Sequence, residues 1–216
     1  MNGEEHWANA KDPQIPAALT PVVAGVATLH NFPKKPQIRI ADERIAARLE
    51  PGRSPQVTFP NGQHALGPGD YDVMYNLTPV IQGPPGISGP PAGFGTTIAV
   101  VGRSNINVQD VARFRAIFNL TNNNPQIFVD GPDPGDLGGA EEGEAVLDTT
   151  WSGALAPGAG VWLIVSASTN TTDGADLSEL YIIDNSVGAI MTESFSECEA
   201  SCHCAQDVLP RLGTHP

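Results

Sequence analysis

The apolar positions divide the chain into two unlike regions, one before and one after Gly95. After it, short apolar runs alternate with stretches of helical period. Thr97 to Val101 (TIAVV) is continuous, the pattern of a strand buried on both faces. Asn107 stands where it can cap a helix whose Val111, Phe114, Ile117 and Phe118 share one side. Gln126 to Val129 predicts a second strand, followed by the glycine-rich loop Gly131 to Gly139 and a helix over Glu141 to Trp151. Gly160 to Ser166 (GVWLIVS) is another buried strand. Asp176 and Glu179 have capping-box spacing for a helix reaching Asn185, with Leu177, Leu180 and Tyr181 inward. Ala189 to Glu193 is a fourth strand. Alternation of strand and helix predicts an α/β fold with a mainly parallel sheet and right-handed crossovers.

Before Gly95 the pattern is weaker. Pro13 to Leu29 predicts a short amphipathic element, with Pro16 in its first turn and Ala17, Leu19, Val22, Val23 and Val26 on one side. From Asn31 to Gly69 prolines and glycines dominate, which predicts a linker with one helical turn at Asp42 to Leu49. Gly83 to Gly95 is a surface loop. From Ala200 onward no period of 2 or 3.6 survives. A sheet ending at Ala189–Glu193 leaves that strand unpaired on one side, an aggregation hazard.

Composition narrows the function classes. The 216 residues suffice for one sizeable domain, and no stretch is apolar enough to span a membrane. The formal net charge of −13 argues against a nucleic-acid partner, which requires clustered Lys and Arg. It suits a protein that works in acid, where protonation relaxes self-repulsion, and equally an ordinary soluble one. Met1 to Ala10 is polar, with Glu4, Glu5 and His6, unlike a signal peptide. Cys198, Cys202 and Cys204 are an odd number and cannot close a complete disulfide set. With His203 they have zinc-ligand residue types at a spacing that strains a tetrahedral site. Asn76, Asn119 and Asn170 each open an N-x-T sequon. The Gly131–Gly139 loop lacks a following Lys and carries Asp133 and Asp136, so it is no phosphate cradle.

Glu144 and Asp148 stand four residues apart on a predicted helix, so their carboxyls share a face. Exposed, they are two solvated acids, as Glu141 and Glu142 are expected to be in the first turn. Buried, they would share a proton and one pKa would rise, as suits a general base relayed through a second carboxyl.

The surrounding text favours the second reading. Gly143 to Ala159 (GEAVLDTTWSGALAPGA) resembles the segment of sedolisins and kumamolisins that carries the acidic members of their Ser-Glu-Asp triad. Thr97 to Asn105 (TIAVVGRSN) is similar to that family's first core strand, and Tyr71 to Thr78 (YDVMYNLT) to the opening of its mature domain. Met191 to Glu199 (MTESFSECE) resembles its cleft strand, and Asn2 to Phe32 the end of its activation prodomain. The resemblance implies four regions: 1–35 the prodomain end, 36–69 a linker, 70–200 the N-terminal half of the peptidase domain, and 201–216 an unmatched tail. The implied fold is half of a subtilisin-like, doubly wound sheet with a remnant of an α+β prodomain.

It also implies a zymogen of a secreted, extracellular serine-carboxyl endopeptidase acting in acid on peptide or protein substrates. Glu144 would be the general base toward the serine and Asp148 its orienting carboxyl. Ser194, Phe195 and Ser196 would belong to the substrate cleft. The sequence departs from the family too. Neither the Ser-Gly-Asp of its oxyanion aspartate nor the Gly-Thr-Ser of its nucleophile occurs. The family's calcium site would lie in that same missing half, so no cofactor is expected here. Ser196 stands where the family usually has Gly, and Gly102 where kumamolisins keep a Glu. Two expectations follow: a truncated or frameshifted peptidase, inactive alone, or a noncatalytic inhibitor or assembly partner of a full-length enzyme.

Overall fold

The structure is a computed structural model that describes residues 5–11, 13–23, 26, 29–38, 57–58, 62, 64–82 and 89–196. The predicted turn at Asp42–Leu49, the cysteine cluster and the 201–216 tail lie outside the described residues.

The centre is a four-stranded parallel sheet. Its strands are β4 (Thr97–Gly102), β5 (Gln126–Asp130), β6 (Gly160–Ser166) and β7 (Ile190–Thr192), in the order β5-β6-β4-β7. Helix α3 (Val108–Ile117) follows β4, α4 (Gly139–Leu155) follows β5, and α5 (Gly174–Asp184) follows β6. The α/β expectation therefore holds. Side chains alternate along β4 between two cores: Ile98 and Val100 pack with Val111, Ala145 and Leu163, while Ala99 and Val101 pack with Ile164, Ala175, Ile182 and Phe195. Helices thus cover both faces, which is why β4 and β6 read as unbroken apolar runs. Each of the fully buried Val and Leu side chains contributes about 1.5–3 kcal/mol of transfer free energy.

Local signals explain most boundaries. Asn107 caps α3, accepting the Gln109 N–H at 3.0 Å. In the glycine-rich loop Asp133 accepts the Gly135 N–H and Asp136 accepts the Gly138 N–H, both at 2.8 Å, and α4 starts at Gly139 rather than Glu141. Helix α5 corrects the sequence reading. Its cap is Asp173, which accepts the Ala175 N–H at 2.9 Å; Asp176 lies in the first turn. The buried face is Ala175, Ser178 and Ile182, with Tyr181 partly buried against the same core as expected and Leu180 exposed. A hydroxyl on that face is tolerable because Ser178 donates to the Gly102 carbonyl at 2.7 Å.

The first third departs further. Residues 17–22 form successive turns rather than a helix, closed by Leu19 N–H to Pro16 O and Val22 N–H to Leu19 O. Leu19, Val22 and Val26 on the expected apolar side are exposed, so burial does little to favour a longer helix. Two short helices that the pattern did not predict, α1 (Pro68–Met74) and α2 (Thr78–Gln82), follow the pair β2 (Val57–Thr58) and β3 (His64–Ala65). Helix α1 docks on α4 through Tyr71, whose ring lies 4.6 Å from that of Trp151. The expected linker is also partly structured: Lys35–Pro36 forms β1, paired antiparallel with β8 (Phe195–Ser196). Composition had marked this stretch as a spacer; its order comes from contacts with residues some 160 positions away.

Candidate active-site cleft

The carboxyl ends of the parallel strands gather the interesting side chains, where open α/β sheets place their sites. Helix α4 begins above this edge, and its inward turn carries Glu144 and Asp148. Glu144 is 2% exposed. Its Oε2 accepts the main-chain N–H of Ile38 in a short hydrogen bond. One turn on, Asp148 Oδ1 accepts the Ser194 hydroxyl at 3.0 Å, while its buried Oδ2 has no hydrogen-bond partner among the described residues. Burial pushes the Asp148 carboxyl up from 3.8 to about 6; the Ser194 hydrogen bond restrains the rise and the Glu144 charge adds to it. The two acids are therefore not solvated surface groups. Glu141, one turn earlier, is partly exposed, and Arg103 holds both of its carboxylate oxygens.

Opposite the acids lies an extended segment of the chain itself. Lys35 pairs with Ser196 and Pro36 with Phe195, and the Gln37 N–H donates to the Ser194 carbonyl at 3.1 Å. The next amide, Ile38, is the one that reaches Glu144. Residues 34–38 thus run as a strap along β8 and across the carboxyl pair. Proline at position 36 fits because it needs no donor toward β8 at its non-bonded register.

The sequence-predicted residues converge here, in distinct roles. Ser194 meets Asp148 with its hydroxyl and Gln37 with its carbonyl. Ser196 is exposed, and its hydroxyl accepts from the Gln37 amide. Phe195 is buried in the α5-side core, so its backbone, not its ring, borders the strap.

Several residues escaped the sequence reading. Arg103, just past β4, donates through Nε and Nη2 to both Glu141 oxygens at 2.8 and 2.7 Å, and through Nη1 to Asp173 at 2.5 Å. It also donates through Nη2 to the Lys34 carbonyl at 2.6 Å and lies 5.2 Å over the Phe195 ring. Burial pulls its guanidinium down, but the Glu141 hydrogen bond and the charges of Asp173 and Glu141 leave it above its ordinary value. Lys34 Nζ sits 2.7 Å from Asp176, 2.8 Å from Glu193 and 4.0 Å from Glu179. Burial alone would lower the Lys34 ammonium; the Asp176 and Glu193 contacts raise it above its usual value. Nothing local marks these residues, because their partners lie far away in sequence.

Among the described residues no group of three His, Cys, Asp or Glu side chains is arranged to hold a metal ion. A hollow of about 750 Å³ is lined by Trp7, Leu29, His30, Asn31 and Thr169–Thr171, away from the carboxyl pair. No helix among the described residues is long and apolar enough to cross a membrane. No protein-family model matches the chain, and no curated protein matches it.

Proposed function

We propose that this chain is the prodomain end and N-terminal half of a sedolisin-like serine-carboxyl endopeptidase, contributing the substrate-binding edge and the acid pair of an acid-active site. The observation that carries the reading is the strap: an extended segment pairs with Ser194–Ser196 and presents its Ile38 amide to buried Glu144. An extended peptide added to a sheet edge is a general way to bind substrate without demanding one sequence. In this reading the Gln37–Ile38 bond occupies the position of a scissile bond, and residues 34–38, where the prodomain end passes into the linker, lie in the cleft.

The chemistry follows from the protonation states. A serine supplied by the other half of the domain would give its proton to Glu144 as it attacks the carbonyl carbon. Glu144 would then return that proton to the departing amine nitrogen, the atom whose place the Ile38 nitrogen takes. Asp148, raised to about 6, is protonated in acid and so can hold Glu144 by donating to it instead of repelling it. The absence of a Gly-Thr-Ser segment means that the chain alone is expected to hydrolyse nothing.

The test is to join the chain to the Gly-Thr-Ser-bearing half of an active sedolisin-type peptidase and assay peptide hydrolysis at about pH 4. Activity that Glu144→Ala abolishes and Asp148→Ala strongly reduces is the expected result. A folded fusion that cleaves nothing, or cleaves equally well with both substitutions, overturns the reading.

A further inference from the structure

The strap is not held by its backbone alone. Lys34 is gripped at three points: its N–H donates to Asp173 at 2.8 Å, its carbonyl accepts from Arg103, and its ammonium enters a hollow walled by Asp176, Glu179 and Glu193. The three carboxylates come from α5 and from the turn after β7, so the α/β unit supplies the whole wall. Three like charges this close are unfavourable without a cation among them. The Glu179 carboxyl shows the strain: burial and then Glu193 push it up, and Lys34 pulls it back. The side chains of Lys34, Asp176 and Glu193 are each at most one-fifth exposed, so the ion pairs are partly desolvated and selective for charge.

Building on the cleft reading above, we infer that the Asp176–Glu179–Glu193 hollow is a specificity subsite for a lysine or arginine side chain of an extended peptide. That side chain stands three residues before the one whose N–H meets the Ser194 carbonyl. The chain's own Lys34 fills the subsite as a resident mimic. The substrate class is therefore peptides with a basic residue at that position, and the acids of α5 determine the preference.

The experiment has a part within the chain and a part between chains. In the full-length protein, hydrogen exchange of the Lys35, Gln37 and Ile38 amides is measured for wild type, Lys34→Arg and Lys34→Met. Lys34→Arg is expected to stay within about threefold of wild type, and Lys34→Met to exchange at least about tenfold faster. Equal protection in Lys34→Met and wild type overturns the proposal, since the hollow then grips nothing. The Lys34→Met protein, whose strap has lost its ammonium contacts, is next titrated with a fluorescent peptide FPKKPQI and with the same peptide carrying norleucine for its first lysine. The lysine peptide is expected to bind at least about tenfold more tightly, and Asp176→Asn with Glu193→Gln to erase that preference. Equal binding of the two peptides overturns the subsite while leaving the cleft intact. If neither peptide binds up to about 1 mM, the peptide-cleft reading itself fails and the subsite falls with it.

Discussion

The pH dependence of stability isolates Asp148 from the other acids. Its carboxyl is raised from 3.8 to about 6, mainly by burial, so the folded chain binds this proton more tightly than the unfolded chain does. Stability from this group is fully present below about pH 3.8 and is lost as pH rises through about 6. A shift of about two units corresponds to roughly 3 kcal/mol if it were fully expressed. The group is only half-buried at the cleft wall, so solvent screening reduces the expected loss to about 1–2 kcal/mol. Asp148→Asn removes the titration. The amide also leaves a buried donor at the unpartnered Oδ2 position, a cost of about 1–3 kcal/mol that does not vary with pH. The quantity to compare is therefore the change between pH 4 and pH 7, not either value alone. Urea unfolding followed by circular dichroism should show wild type losing about 1–2 kcal/mol more than Asp148→Asn over that interval. With a typical urea dependence this is a midpoint difference of about 0.5–1 M. Glu179 and the other acids that do not interact with Asp148 are common to both proteins and cancel. Parallel pH profiles for the two proteins would refute the assignment of a raised carboxyl to Asp148.

Other perturbations follow from the same contacts. Ser194→Ala removes the hydrogen bond that restrains the Asp148 carboxyl, so its titration midpoint should move above about 6; an unchanged or lower midpoint in a carbon-detected NMR titration contradicts this. Gly174→Ala would set a Cβ 2.2 Å from the Ser166 carbonyl oxygen and 3.1 Å from Arg103 Cβ, so a loss of about 1–3 kcal/mol in thermal or urea unfolding is expected, and wild-type stability would count against that packing. Met191→Lys puts a charge on edge strand β7, where Ile190 and Met191 are 51% and 40% exposed, and should reduce concentration-dependent light scattering; unchanged scattering would locate self-association elsewhere.

What the sequence disclosed and what it hid follow one rule, the range of the interaction that fixes each feature. The β4 and β6 runs and the Asn107 cap are set by neighbours within a few residues, and their pattern is visible in the sequence. Helix α5 shows the limit of that reasoning. Asp173 and Asp176 both stand near its start, and with Asp173 as the cap the buried positions include Ala175, Ser178 and Ile182; Tyr181 still packs against that core as expected, while Leu180 is exposed. The choice is made by Arg103 and the Lys34 N–H, which engage the other Asp173 oxygen from outside the helix. Glu144 and Asp148 were legible as a pair through spacing, yet their burial depends on the strap, and residues 31–38 carry only the proline-rich composition of a spacer.

Arg103 explains how these distant pieces come to share one geometry. Its guanidinium is about 7% exposed and fixes a residue of each element around the cleft: Glu141 on α4, the Asp173 cap of α5, the Lys34 carbonyl of the strap and the Phe195 ring of β8. A planar donor with five N–H groups can satisfy two carboxylates and a carbonyl at once, whereas an ammonium of similar charge offers neither the fork nor the flat face for the ring. The registration matters because the strap is short. With only Lys35 and Pro36 in strand pairing, the position of Ile38 over Glu144 depends on how Lys34 is anchored at the other end. Moving that anchor from Lys34 to Lys35 would turn Pro36 toward the Ser196 carbonyl, at a bonded position that needs a donor proline lacks. Register along β8 is thus set by side chains at its margin, and that register decides which amide meets Glu144.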